Sequence, residues 1–581
     1  MSKTFRYITA IVALCAGVKS YSQKKDENIG TEVVNVVKPY TPTISDAFKV
    51  KETPVIEDEV NTDKEEIKYN IFSFPVASTF TPAKGKAASV DKSAKEKIFK
   101  NYATFGAGNY GTINGELFIT ENLSNTDYVG GMLRHLSSQG GINDVKLDDK
   151  YYDTSLDLTY GSRTRDMDWS ADLGYKHQLY NWYGLPTEFV TFTDDAIKLI
   201  NEQQTYQTLT LGAKVGMKES ALEETSLQFK RFWDSHGSQE NRFFVKPAIN
   251  FEVDNFKFKS GFVVDYVGGS FEKDYFDAGD ISYSYLNFGV QPAILLQQDD
   301  LSVQAGAGFF YSVGKYNEAS DNKFYIFPQV KASYKLVGDI MIAYAGAEGT
   351  LKQNTFADFA DENKFVSPTL AIAPTNQQYD IYVGLKGKLA NTVTFNVRGS
   401  YMAEDDKAFF TANPYETANT NLNGYAFGNS FGVVYDNLTT ISVFGELKMD
   451  FSKNASFGIN GAFNSYTTDQ AEAWNLPTMK IGANLDVNIT KKWYAGTHIF
   501  FVGERKDQLY YNDISLLEPL TKTVTLDSYF DLNAHLGYKH NERLTGFLKL
   551  NNIANQQYER WMNYPVQGFQ FLIGANYKFD F

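Results

Sequence analysis

The residues best able to bind a metal or move a proton near neutral pH are the six histidines, His135, His177, His236, His498, His535 and His540. None falls into a recognisable metal-ligand spacing with another. His535 reads as a polar, water-facing position on a strand. Neither an esterase-like nucleophile nor a phosphate loop is assigned. Carboxylates gather twice in predicted loops, as Asp274, Asp277 and Asp280 and as Asp358, Asp361 and Glu362. Such groups can hold Ca²⁺ with carbonyl oxygens, but EF-hand spacing is absent, and a solvated acidic loop is the plainer reading. The one cysteine, Cys15, sits in an apolar N-terminal run, which leaves the rest of the chain without disulfide or thiol chemistry. No catalytic, cofactor-binding or metal-ligating residue is therefore assigned, no cofactor is expected, and the chain is read as not an enzyme.

Without a reactive constellation, function must lie in the elements themselves. Phe 45 and Tyr 38 bring the aromatic share to 15%, Gly numbers 44, and charged residues make up only 21%. Aromatic residues pack well on pleated surfaces, so this mixture favours strands. From about residue 100, segments alternate in polarity. Phe569, Phe571, Ile573, Ala575, Tyr577, Phe579 and Phe581 share one face, opposite Gln570, Leu572, Gly574, Asn576, Lys578 and Asp580. Phe530 to Lys539, Ile481 to Thr490, Ile326 to Lys335 and Ile441 to Phe451 repeat the pattern. Strands of a soluble sandwich commonly run to roughly 5 or 6 residues, whereas a membrane barrel needs about 9 to 11. The segments here are long, with Lys, Asp and Glu in mid-strand on the polar face, as a wet lumen tolerates.

Connections supply a second argument. Short turns are predicted near His540–Glu542, Thr490–Lys492, Ser452–Asn454, Leu389–Asn391, Val337–Asp339, Gln298–Asp300 and Val253–Asn255. Long connections alternate with them near 552–565, 505–521, 467–477, 404–437, 350–375, 313–322, 267–280 and 181–204. Outer-membrane barrels have short periplasmic turns and longer outer loops. The predicted fold is all-β: a transmembrane antiparallel outer-membrane β-barrel over 100–581, of about 22 strands (range 18–22) and about 40 Å across. Side chains alone cannot fill such a bore. Trp493 is predicted in the periplasmic aromatic belt and Trp474 in the outer one. Arg560, Trp561 and Tyr564 are placed near strand ends in the same role.

The first 99 residues read differently. Lys3 and Arg6 precede the apolar run Ile8 to Val18, and Ser20 and Ser22 flank Tyr21 before Gln23, a secretory signal peptide over 1–22. Cleavage there removes Lys3, Arg6 and Lys19 and no acid, moving the formal charge from −14 to −17. So acidic a chain repels phosphate backbones, and no nucleic-acid partner is expected. Residues 23–99 form a mostly extended, acidic periplasmic segment punctuated by Pro39, Pro42, Pro54, Pro75 and Pro82. It is read as a spacer or as a strand donor to a partner.

The stretch Asn551-Asn552-Ile553-Ala554-Asn555-Gln556-Gln557-Tyr558, then Tyr564-Pro565-Val566-Gln567-Gly568, then Phe571, Gly574, Tyr577 and Phe579, resembles the C-terminal end of TonB-dependent outer-membrane receptors. Tyr21-Ser22-Gln23 and the aromatic-rich barrel resemble those of Bacteroidota. The resemblance implies a membrane-embedded barrel ending on a Phe581 insertion signal. It also implies a folded plug of roughly 130 to 150 residues, for which 23–99 is too short. Thr31 to Val37 looks loosely like the segment by which such receptors engage TonB, leaving TonB an uncertain partner. Two functions follow as expectations. The first is a structural or accessory subunit of an outer-membrane protein assembly, with lipid and other outer-membrane or periplasmic proteins as partners, the latter through residues 23–99. The second is a passive or TonB-linked channel or receptor for a small solute. In both, the N-terminal segment and the C-terminus lie on the periplasmic side.

Overall fold

The computed structural model describes residues 98–581 apart from 189, 219, 223, 254–255, 277–278, 339, 417–422 and 512–519. The expectations for the signal peptide, the acidic segment and Thr31 to Val37 fall on residues 1–97, outside the described ones.

The alternating segments become the strands of one antiparallel sheet. Its first strand, Asn101–Gly108, pairs with its last, Gln570–Phe579, from Asn101↔Phe579 to Gly108↔Leu572. The sheet thereby closes on itself and has no free edge. The strands Gln239–Lys246 and Ala248–Val253 both pair with Phe256–Phe271 and are one wall strand interrupted at Pro247, which gives a 22-strand barrel. Proline has no N–H for the ladder. The same cause operates at Pro292, where pairing steps from Val290↔Phe309 to Ala293↔Gly306.

The two faces of the wall have opposite chemistry. Val383, Ile573, Ile441 and Val443 are 65%, 59%, 54% and 54% exposed on its outer surface. Their strand neighbours turn inward and find polar partners: Asp380 with Arg398, Glu348 with Lys331 at 2.7 Å and with the Tyr382 hydroxyl at 2.8 Å. Where large rings line the inner face, glycine sits across the ladder. Tyr344 lies opposite Gly384 and Tyr382 opposite Gly346. A Cβ at either glycine would come within 2.3 to 2.4 Å of the facing ring.

Strand ends follow the predicted alternation, with one correction. Short turns lie at 299–300, 391–392, 453–454 and 540–543, and long connections at 182–202, 353–374, 413–430, 503–528 and 552–569. The predicted long connection at 313–322 is instead a two-residue turn, because Leu301–Tyr316 and Ala319–Val337 stay paired to Tyr316↔Ala319. Polar residues there meet water beyond the apolar zone, so polarity alone mimics a loop.

Candidate functional site

The long connections fold over and into the barrel mouth. The connection 353–374 carries the short helix Phe356–Glu362, which starts where Thr355 caps it, its hydroxyl accepting the Asp358 N–H at 2.9 Å. The helix is two-faced. Phe356, Ala357, Phe359 and Ala360 are buried, while Asp358, Asp361 and Glu362 face the wet bore.

The buried face joins an apolar layer drawn from both walls and several loops. Tyr206, Phe232, Phe271 and Tyr283 come from the wall strands Gln203–Met217, Thr225–Asp234, Phe256–Phe271 and Ile281–Gln298. Phe410 and Phe431 come from Val393–Ala412 and Phe431–Ser452. Leu509, Leu526, Met562 and Tyr564 complete it from the connections at 503–528 and 552–569. Phe356 packs edge-on against Phe232 and Phe271, each with ring centroids 5.0 Å apart, and Tyr564 stacks on Phe365 at 3.7 Å. Burying each such ring stabilises the closure by about 1.5 to 3 kcal/mol.

Hydrogen bonds tie the loops to one another. The Asn429 side chain donates to the Trp182 carbonyl at 2.7 Å, and the Tyr564 hydroxyl bonds the Asn429 carbonyl. Tyr183 donates to the Pro565 carbonyl at 3.0 Å and Tyr206 to the Lys364 carbonyl at 3.0 Å. The Arg505 guanidinium donates to the carbonyls of Glu559 and Arg560. Beneath it all, the carboxylate of Glu240 accepts the N–H groups of Phe356 and Ala357 at 2.7 and 3.2 Å and the Tyr283 hydroxyl at 2.7 Å.

Ion pairs hold the polar face of the helix. Asp358 lies 3.5 Å from Lys230 and 3.3 Å from Arg242; Asp361 lies 3.4 Å from Lys176 and 2.8 Å from Lys364. Lys364 and Lys176 hold the Asp361 carboxyl below its usual range against the opposing effect of burial, whereas burial pushes Glu362 up. Asp358 is thus paired with wall cations, and Asp361 with the wall residue Lys176 and with Lys364 of its own connection, rather than forming a free acidic loop. In the other group, Asp277 lies outside the described residues. No group of three His, Cys, Asp or Glu among the described residues is placed to hold a metal ion.

His135 bonds the Thr154 hydroxyl at 2.8 Å, His236 packs against Trp182, and His535 lies 3.8 Å from Asp486 on the lumenal face. Gly428-Asn429-Ser430-Phe431-Gly432 has the Gly-x-Ser-x-Gly form of an esterase elbow. Ser430, however, is 1% exposed, donates to the Tyr425 carbonyl and accepts from Asn413, neither partner being a histidine. Of the predicted belt residues, Trp493 is 42% exposed beside the short turn 489–492 and packs on Tyr538. Trp474 and Tyr564 are corrections: both are 1% exposed and turned inward. Trp561 likewise packs against Phe410 and Phe431. Their loops fold over the bore, so ring burial inside outweighs anchoring outside. The sequence left open whether water, loops, the N-terminal segment or a partner fills the bore, although Phe356, Phe359 and Ala360 recur at helical spacing behind a capping threonine.

No family model matches the chain, and no curated protein matches it. Solved structures do. The ferripyoverdine receptor of the outer membrane of Pseudomonas aeruginosa aligns with a TM-score of 0.62 at 12% identity, over 84% of this chain and 72% of that one. The FrpB iron transporter from Neisseria meningitidis aligns with a TM-score of 0.63 at 11% identity, over 84% and 82%. The copper transporter OprC aligns with a TM-score of 0.59 at 12% identity, over 84% and 82%. At such identities the likeness is one of fold.

Proposed function

We propose that the chain is an integral outer-membrane barrel with no chemistry of its own, acting as a structural or accessory subunit of an outer-membrane protein assembly. The membrane placement rests on the wall's outer surface. A soluble protein rarely exposes a continuous apolar belt, whereas hydrocarbon demands one. The subunit role rests on the apolar layer across the long-loop end, in which Phe356, Val366, Ile372, Phe431 and Tyr564 are at most 1% exposed. A bore shut by packed rings does not conduct as an open pore. The long-loop end is assigned to the cell exterior and both termini to the periplasm.

A second reading, passive or TonB-linked uptake of a small solute, is favoured by the likeness to an iron transporter and a copper transporter and by the charged lumen wall. It requires the 353–374 connection to swing away. Two measurements on one preparation separate the readings. Mild-detergent extraction should co-purify stoichiometric outer-membrane or periplasmic proteins, and planar bilayers should show almost no steady conductance. A partner-free barrel that binds a solute saturably and conducts would defeat the subunit role.

A further inference from the structure

The cations under the loop helix form a site in their own right. Lys230 and Arg242 lie directly opposite each other on neighbouring strands. Like charges so placed repel unless an anion bridges them. Here the bridge is Asp358, from a distant connection, at 3.5 Å from Lys230 and 3.3 Å from Arg242. Arg242 spends its Nε and one terminal nitrogen on Asp265, at 2.9 and 2.7 Å, and turns the other toward Asp358. Lys176, on the same inner wall, reaches Asp361 at 3.4 Å and Asp153 at 3.6 Å. The loop carboxylates Asp358 and Asp361 thus share these cations with the wall carboxylates Asp265 and Asp153. The cation heads are partly wet: the side chains of Lys176, Lys230 and Arg242 are 34%, 22% and 21% exposed.

We infer that Lys176, Lys230 and Arg242 form a lumenal binding site for a small multivalent anion bearing carboxylate or phosphate groups, which Asp358 and Asp361 occupy while the barrel is closed. The loop is then a tethered competitor. An incoming anion replaces its carboxylates at the same nitrogens, and the released helix loses the contacts that hold its polar face. Guanidinium and ammonium groups suit either kind of oxyanion. The inference rests on the closed-bore reading, but the two fail separately.

The test is calorimetric titration of the detergent-solubilised full chain with citrate and, separately, inorganic pyrophosphate. Asp358→Asn with Asp361→Asn removes the competitor and should tighten binding of at least one probe about fivefold or more. Adding Lys230→Gln to that pair should weaken binding at least tenfold. Hydrogen exchange in 353–374 should rise when the probe binds the unaltered protein. Heat-modifiable migration in gels identifies folded variants, and Lys176→Gln replaces Lys230→Gln if the latter does not fold. A stronger response to one probe identifies the preferred oxyanion. Binding of neither probe to the Asn pair, or binding indifferent to Lys230→Gln and Lys176→Gln, overturns the site. Steady conductance of the unaltered protein would overturn the closed bore instead.

Discussion

The carboxylate of Glu240, fixed on the barrel wall, caps the main chain of Phe356, accepting its N–H at 2.7 Å and that of Ala357 at 3.2 Å. A helix start has N–H groups without partners in the helix. Here a wall residue 116 positions away supplies them. Glu240→Ala strands those two donors and the Tyr283 hydroxyl in a buried place. Each buried unsatisfied group costs about 1 to 3 kcal/mol, so the two stranded loop donors should weaken the closed loop by roughly 2 to 6 kcal/mol. Hydrogen exchange over 353–374 should then accelerate about 100-fold, taking about 1.4 kcal/mol per tenfold. Thr355→Ala, losing only the cap to Asp358, should cost about 1 kcal/mol. Equal exchange in all three proteins would show that Glu240 does not hold the loop.

Asp507 gives the closure a pH dependence. It lies in the hairpin formed by Arg505–Tyr511 and Leu520–Leu526, accepts the N–H of Ala412 at 3.1 Å, and is fully buried. Burial pushes its carboxyl up to about 6. A carboxyl raised in the folded state binds more protons there than when the hairpin is released. The stabilisation is therefore full in acid and is lost as pH rises from about 4 through about 6. The total is of the order of 3 kcal/mol. Exchange protection of 505–511 should fall between pH 4 and pH 7, and Asp507→Asn should flatten that profile. Protection that rises with pH would reverse the sign and refute the assignment.

The barrel wall was legible because a strand writes its environment every second residue. Phe571, Ile573 and Tyr577 on one face and Gln570, Asn576 and Lys578 on the other need only the period of a pleat to be read. The closure was not legible, because loop burial is set by residues far apart in sequence. Phe365 and Tyr564 stack across nearly two hundred positions, and Glu240 meets Phe356 across 116. Trp474 misled for a related reason. A tryptophan near a strand end reads as an interface anchor, yet Phe409 and Leu438 bury it. The acidic face of Phe356–Glu362 misled because three of its cations, Lys176, Lys230 and Arg242, lie on distant wall strands.

Outer and inner faces should respond oppositely to charge. Val383 and Ile441 are 65% and 54% exposed on the apolar surface, while Asn460 faces the lumen, paired across the sheet with Gly482. Val383→Arg or Ile441→Arg should cost about 2 to 4 kcal/mol if the site lies near the bilayer midplane. Asn460→Lys should cost well under 1 kcal/mol, because the lumen is wet. Urea unfolding in phospholipid vesicles reads both, and equal costs would remove the lipid-facing assignment.

The last prediction separates the two ends of the barrel. Tyr564 is held by stacking on Phe365, by an edge contact to Tyr183 at 4.8 Å and by its bond to Asn429. Gly184 leaves the room it needs, since a Cβ there would stand 2.4 Å from the ring. Tyr564→Ala therefore removes the ring, and Gly184→Val expels it without touching the tyrosine. Both should loosen the layer and produce frequent opening events in planar bilayers where the unaltered protein is nearly silent. A buried aromatic-to-alanine change costs about 3 to 5 kcal/mol, enough to make rare openings common. Trp493→Ala, at the opposite end, should leave conductance at the unaltered level, because Trp493 packs on Tyr538 beside a short turn and touches none of the closure. If Trp493→Ala opened the bore as often as Tyr564→Ala, conductance would be reporting general loosening of the barrel, and the seal could not be assigned to the long-loop end.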